Sequence, residues 1–179
     1  MGIKKGQKMK DALNSIRKYC DYVEDHIDNV NKAWKLVQDK CQDLDFMKDQ
    51  DMVTILHSAI KKHDFTKLSQ AEFLPYVMRF YPSEVLKEAN SRDCSLFELA
   101  WEHHKLFNFH HWQTWTKFKN IKTQKLNCIH MVIDWVAMGF KFNDTAREYY
   151  EKNKNEIELP DWAEKLCYEI FDKVYGEKK

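Results

Sequence analysis

The stretch IRKYCDYVEDHIDNVNKAWKLV, residues 16–37, decides the fold class. Ile16, Tyr19, Val23, Ile27, Val30, Trp34 and Val37 recur at three- and four-residue steps, which lays one apolar stripe along a helix. The pattern holds from about Lys8 to Leu44. His26 lies on the stripe, between Val23 and Val30. Taken with this helix alone it reads as a core histidine satisfied by a hydrogen bond; a ligand role requires partners from other elements.

Composition agrees with a helical reading. The 179 residues fit one domain, 1–179 with a core over about 10–175, large enough to bury a substantial interior. Four Gly and three Pro leave little material for the tight turns of an all-β fold. The expected class is an all-α bundle of six to eight helices. A formal net charge of +1 gives no global case for DNA, RNA or an anionic membrane. The five cysteines are odd in number and form no C-x-x-C pair, which suits a reduced cytoplasmic compartment and argues against a zinc–thiolate site. No signal peptide is apparent, and no run approaches the ~18 apolar residues of a membrane span, so a soluble protein is expected. Oligomeric state is not legible.

Beyond the first helix, a second is expected over Asp51–His63, with Val53, Leu56, Ile60 and His63 on one face. A turn follows at Phe65–Leu68. Ser69 with Glu72 has the spacing of a capping box for a helix from Gln70 to about Phe80. The pair His63-Asp64 therefore falls at the junction of two helices, where functional groups hold their geometry well. Pro82-Ser83 starts a short helix to about Ala89, followed by a polar loop, Asn90–Asp93. Ser95 with Glu98 reads as a second box. It opens a helix carrying Phe97, Trp101, His104, Asn108 and His111 on one face, with Leu99, His103, Phe107 and His110 on a neighbouring face almost as apolar. Periodicity leaves open which histidines point inward. Lys117–Lys125 holds four lysines and no acid, either a solvated loop or a lip for an anionic substrate. A strongly apolar helix, about Leu126–Phe140, holds His130 and Asp134; helices over Thr145–Asn153 and Asp161–Tyr175 complete the chain.

The inward polar candidates are His26, His63, Asp64, His104, one or both of His110 and His111, and Asp134. Burying so many ionisable groups without a cation costs several kcal/mol. A divalent ion offsets that cost. Imidazole with carboxylate suits Mn, Fe, Co, Ni or Zn, and this set is large enough for one or two ions. Glu72, Asn108 and His130 are further ligands or supporting partners.

The order His26 … His63-Asp64 … Asp134 resembles the H…HD…D signature of the HD-domain superfamily, all-helical metal-dependent phosphohydrolases. HDFTK, residues 63–67, is similar to the HD-x-x-K form whose lysine contacts a phosphate, and the additional histidines resemble the binuclear branch. More closely, the chain resembles a small helical family from bacteria and phages. That family shows HD-x-S/T-K-x-x-x-x-E-F (here HDFTKLSQAEF), A-W-x-x-H-x-x-x-N-x-H-H (Ala100 to His111) and D-W-x-A-M (Asp134 to Met138). The pattern favours His104 over His103, and helical phase groups His111 with His104. The resemblance implies His26, His63, Asp64, His104, His111 and Asp134 as metal ligands, and Asp64 and Lys67 as the catalytic pair. Lys67, Arg79 and Lys117 are the implied contacts to a small phosphorylated substrate such as a nucleotide, with Tyr76, Trp112 and Trp115 available to stack a base. The small family shows an acidic residue at the place of His130. The alternatives are a binding module without turnover, such as a phage anti-defence protein, and an HD-type di-iron oxygenase.

Overall fold

The structure, a computed structural model, describes residues 5–90 and 96–177. Among these residues there are ten α-helices and no strand, which makes the protein all-α as expected. The helices are α1 (Lys5–Lys40), α2 (Asp45–Lys48), α3 (Gln50–Lys61), α4 (Phe73–Phe80), α5 (Glu84–Asn90), α6 (Leu96–Phe107), α7 (Trp112–Trp115), α8 (Ile121–Phe142), α9 (Ala146–Asn153) and α10 (Asp161–Tyr175), with a 3-10 turn over Phe65–Leu68. Two of the helices, α2 and α7, are single turns. Among the described residues no helix is long and apolar enough to cross a membrane. Contacts gather the chain into two compact units, residues 1–25 with 64–107, and residues 26–63 with 108–179.

The larger unit is built around α8. From Asn127 to Ala137 this helix is buried almost all round, through Cys128, Ile129, Met131, Val132, Ile133 and Val136. A helix apolar on every side has to be enclosed, and α3, α7, α9 and α10 pack against it. The second half of α1 adds Val30, Ala33, Trp34 and Val37 to the same core, with Trp115, Cys167, Ile170 and Phe171 from later elements. Each fully buried Val, Ile or Phe among them contributes roughly 1.5–3 kcal/mol of hydrophobic stabilisation. Helix α8 begins at Ile121, five residues before the expected Leu126, because the Asn120 side chain accepts from the Thr123 amide and caps the helix there. It ends in Asn143, which adopts the left-handed conformation at φ 54°. A Cβ at Gly139 would lie 2.5 Å from the Asp144 carbonyl oxygen, so this close turn needs glycine. A Thr145–Glu148 capping box then opens α9.

Helix α3 turns Met52, Leu56 and Ile60 inward and is capped by Asp49, whose carboxylate accepts from the Met52 amide at 3.0 Å. That hydrogen bond, followed by the Lys122 ammonium 3.0 Å away, holds the Asp49 carboxyl below its ordinary value. A depressed carboxyl stabilises the fold above its unfolded pKa of about 3.9 and loses that contribution as pH falls through the lower folded value. The Met52 amide, followed by NMR, should therefore keep its capped chemical shift down to about pH 4 and lose it only below. Loss of the capped shift already at pH 5 to 6 would contradict this assignment.

The smaller unit is an aromatic cluster closed by α4 and α6. Tyr19, fully buried on α1, packs edge-on against Phe73 at 5.3 Å between ring centroids, with Tyr22, Tyr76 and Tyr81 around it. Helix α4 starts at Phe73, not Gln70. The expected Ser69–Glu72 capping box is absent: the Glu72 side chain makes no cap, and the Ser69 carbonyl receives the amides of Glu72 and Phe73. The reason lies in what the Glu72 carboxylate binds instead. Ser95, and with it the second expected box, lies outside the described residues, as do residues 91–93 of the polar loop.

Candidate metal centre

In the larger unit, three side chains from three helical segments converge. His26 comes from α1, His63 from the turn after α3 and Asp134 from α8. The Nε2 atoms of His26 and His63 are 3.0 Å apart. Asp134 Oδ1 lies 3.4 Å from the first and 3.5 Å from the second. Two ligands held ~2.1 Å from one ion at tetrahedral or octahedral angles are roughly 3.0–3.4 Å apart, which is the spacing seen here. Two ring nitrogens whose lone pairs face each other at 3.0 Å repel unless a proton or a cation stands between them.

The surroundings fix which nitrogen faces inward. His63 Nδ1 meets His130 Nε2 at 3.0 Å. A proton held on that contact by His63 leaves its Nε2 lone pair turned toward His26 and Asp134, the arrangement in which a metal-binding imidazole is held by a partner at its other nitrogen. His130 and Asp134 are one turn apart on α8 and so share a face. His110, 2% exposed, stacks on the His63 ring at 4.5 Å, and its Nε2 is 3.8 Å from Asp134 Oδ2. One nitrogen each from His63, His110 and His130 also falls within 4.8 Å of the others, a second grouping able to hold an ion. The donors are all nitrogen and carboxylate oxygen, a set that fits Mn, Fe, Co, Ni or Zn. Asp134 keeps 16% of its side chain exposed, so it marks the open edge of the cluster.

The smaller unit carries a second polar chain, beginning at Asp64, the residue covalently next to His63. Asp64 adopts a left-handed backbone at φ 55°, which a short polar side chain tolerates. Its Oδ2 pairs with Lys67 Nζ at 2.6 Å, and Lys67 also lies 5.4 Å from the centre of the Tyr22 ring. Asp64 Oδ1 is 3.4 Å from His104 Nε2. Behind it, His104 Nδ1 is 2.7 Å from one oxygen of Glu72, and His103 Nδ1 is 2.7 Å from the other. Glu72 is fully buried. Burial is the largest influence on its carboxyl and pushes it up, but hydrogen bonds from His104, Thr66 and His103 outweigh that, so it stays below its ordinary value. An ionised carboxylate only accepts, so both histidines donate from Nδ1. A neutral His104 then presents its Nε2 lone pair to Asp64 Oδ1, again at the spacing of two ligands sharing an ion.

The remaining expected residues are distributed as follows. His111 is half-buried, stands at the N-cap of α7 and touches the His110 ring at 4.3 Å. Helix α6 ends at Phe107, so neither His110 nor His111 belongs to the helix that carries His104, and helical phase does not apply to them. Asn108 is buried, and its carbonyl accepts the His111 amide. Arg79 is exposed and lies over the Phe97 ring at 5.5 Å. Lys117 is exposed in the turn after α7, and Lys122, from the same lysine-rich segment, is engaged by Asp49. Trp115 is fully enclosed with its ring against Trp162, and Tyr76 is 5% exposed, so neither offers a face to a base. Trp112 packs partly buried against the core of the larger unit. Glu72, expected both in a capping box and as a further ligand or supporting partner, makes no cap and is the acceptor that holds two histidines.

A family model described as a family of unknown function (DUF5662) matches residues 15–173. No curated protein and no solved structure is significantly similar to the chain.

Proposed function

Given that the chain belongs to this DUF5662 family, we propose that it is a metal-dependent phosphohydrolase acting on a nucleotide or another small phosphate ester. The observation that carries the reading is the triangle of His26 Nε2, His63 Nε2 and Asp134 Oδ1, with edges of 3.0, 3.4 and 3.5 Å. The Asp64–Lys67 pair, one peptide bond beyond His63, supports phosphate rather than another substrate class. The H…HD…D order and the HD-x-x-K spacing agree with both.

In this reading His26, His63 and Asp134 hold the ion, with His130 fixing the His63 ring. Asp64 and His104 form the second pair of donors, steadied by Glu72. His26, His63 and Asp134 would hold a divalent ion, which would supply water activation near neutral pH and polarisation of a phosphoryl oxygen. Lys67, within the smaller unit, is a point charge suited to the non-bridging oxygens of a phosphate, and its bond to Asp64 keeps the ammonium in register. The open edge at Asp134 admits water and substrate.

The test is phosphate release from a panel of nucleoside mono-, di- and triphosphates, cyclic nucleotides and sugar phosphates. The protein is stripped by chelation and reloaded with Mn, Fe, Co, Ni or Zn in turn. Release should require the metal and stop on chelation, and Lys67→Met should lower kcat/KM roughly a hundredfold. Stoichiometric metal uptake with no phosphate released from any member would sink the reading. Tight nucleotide binding in that case would mark a binding module, and metal-dependent oxygen uptake an oxygenase.

A further inference from the structure

Helix α6 has two apolar faces, and only one of them is covered. The inner face buries Ala100 and His104. On the outer face Leu99, Leu106 and Phe107 are each more than half exposed, and His103 stands between them with its ring 4.5 Å from that of Phe107. At about 100° per residue these four side chains share one arc of roughly 100°, the width of a stripe that a helix ordinarily buries. The 3-10 turn over Phe65–Leu68 packs against the same helix. Its Phe65 and Leu68, three residues apart and so eclipsed, are exposed as well.

The five apolar side chains are 52–73% exposed. At about 150–200 Å² for a large apolar side chain they present on the order of 500 Å² to water. A monomer seldom leaves a contiguous patch above a few hundred Å² without a use for it. A standard interface buries about 800 Å² per partner, roughly 56–65% of it apolar, so the patch equals the apolar share of one such face. Leu99, His103 and Leu106 follow steps of four and three, the spacing along which two helices interlock. At the edge of the face Glu102 accepts from the Lys105 ammonium at 2.6 Å, so its charge is answered within the helix. A twofold axis sets a face against itself, and here apolar would meet apolar with no bare like charges opposed. The formal net charge of +1 adds no repulsion between whole chains.

We propose that the outer face of α6, with the Phe65–Leu68 turn beside it, is a homodimer interface covered by the same face of a second copy of this chain. The experiment is sedimentation equilibrium of the whole chain from about 1 to 100 µM, with helical circular dichroism of each variant. The wild type should dimerise with a Kd in the micromolar range or tighter. Leu106→Glu places a carboxylate in the interface once from each copy, and should weaken the dimer roughly a hundredfold or more with the helical signal kept. Ile55→Glu, at an exposed apolar position on α3 in the larger unit, adds the same charge elsewhere and should leave the dimer intact. A wild type that stays monomeric throughout overturns the proposal, whether or not it then binds lipid vesicles or a different protein. Undiminished pairing of Leu106→Glu overturns it too, as do equal losses in the two glutamate variants. If Leu106→Glu loses its helical signal, the uncharged Leu99→Gln decides: association weakened about tenfold or more supports the interface, and unchanged association overturns it.

Discussion

Asp134→Asn protein should bind a divalent ion roughly a hundredfold or more weakly than the wild type while keeping its helical signal. Replacing a ligand should exceed the 10–100-fold effect typical of replacing a residue that only supports one. The substitution preserves size and shape, and Asp134 is partly exposed, so little packing changes. What it removes is the negative charge facing two imidazoles. Metal content after chelation, reloading and desalting is the measurement, read by elemental analysis against protein concentration. His130→Ala supplies the graded comparison: it removes the partner of His63 Nδ1 and leaves the triangle, so its loss should be smaller, in the 10–100-fold range. Wild-type metal content in Asp134→Asn would place the ion elsewhere. Equal losses in the two variants would mean that His130 is itself a ligand.

The second large effect is expected at Glu72. Replacing it with Ala leaves His103 and His104 without their shared acceptor inside a closed interior, and breaking a buried charged hydrogen-bonded set of this kind costs about 2–4 kcal/mol. At about 2–4 °C per kcal/mol for a chain of this size, Tm should fall by roughly 4–16 °C. Glu72→Gln is the more instructive variant. Its amide keeps one acceptor oxygen but turns an NH2 toward the other histidine, which then has to give up its Nδ1 proton. If that histidine is His104, the proton moves to Nε2, the nitrogen that faces Asp64, and the donor pair at 3.4 Å is lost. Imidazole nitrogen shifts in a labelled sample report the tautomer directly. A Glu72→Ala protein melting within 2 °C of wild type, a shift worth under about 1 kcal/mol, would show that the carboxylate is dispensable.

The two expectations differ in how they were legible. The stripe on α1 could be read because one face of a helix is buried and one is not, and burial at Tyr19, Val23, His26, Val30, Trp34 and Val37 follows it. On α8 no such contrast exists. The helix is enclosed on nearly every side, so periodicity separates nothing, and His130, expected as a further ligand or supporting partner, is tied to His63 by a contact that no local pattern carries. Glu72 misled for another reason. Spacing three residues after Ser69 is a local pattern, whereas the groups that capture its carboxylate lie 31 and 32 residues further along the chain. Two charge-assisted bonds in a buried place outweigh one exposed cap, and no local rule carries that comparison. At His110 and His111 the error came from extending a helix past Phe107. Once the chain leaves the helix, steps of three and four no longer mean a shared face.

The conformation of Asp64 carries a consequence of its own. At φ 55° the backbone at this position disfavours every side chain with a bulky or branched Cβ, and accepts Gly, Asn and Asp with little penalty. Of those three only Asp brings a negative charge. Stereochemistry and chemistry therefore select the same residue for independent reasons, and a mutational scan here would confuse the two. Alanine loses the charge and also strains the turn; asparagine loses the charge alone. The pair Asp64→Asn and Asp64→Ala consequently separates what the carboxylate does from what the bend does, because the first loses the charge alone and the second loses it and strains the turn.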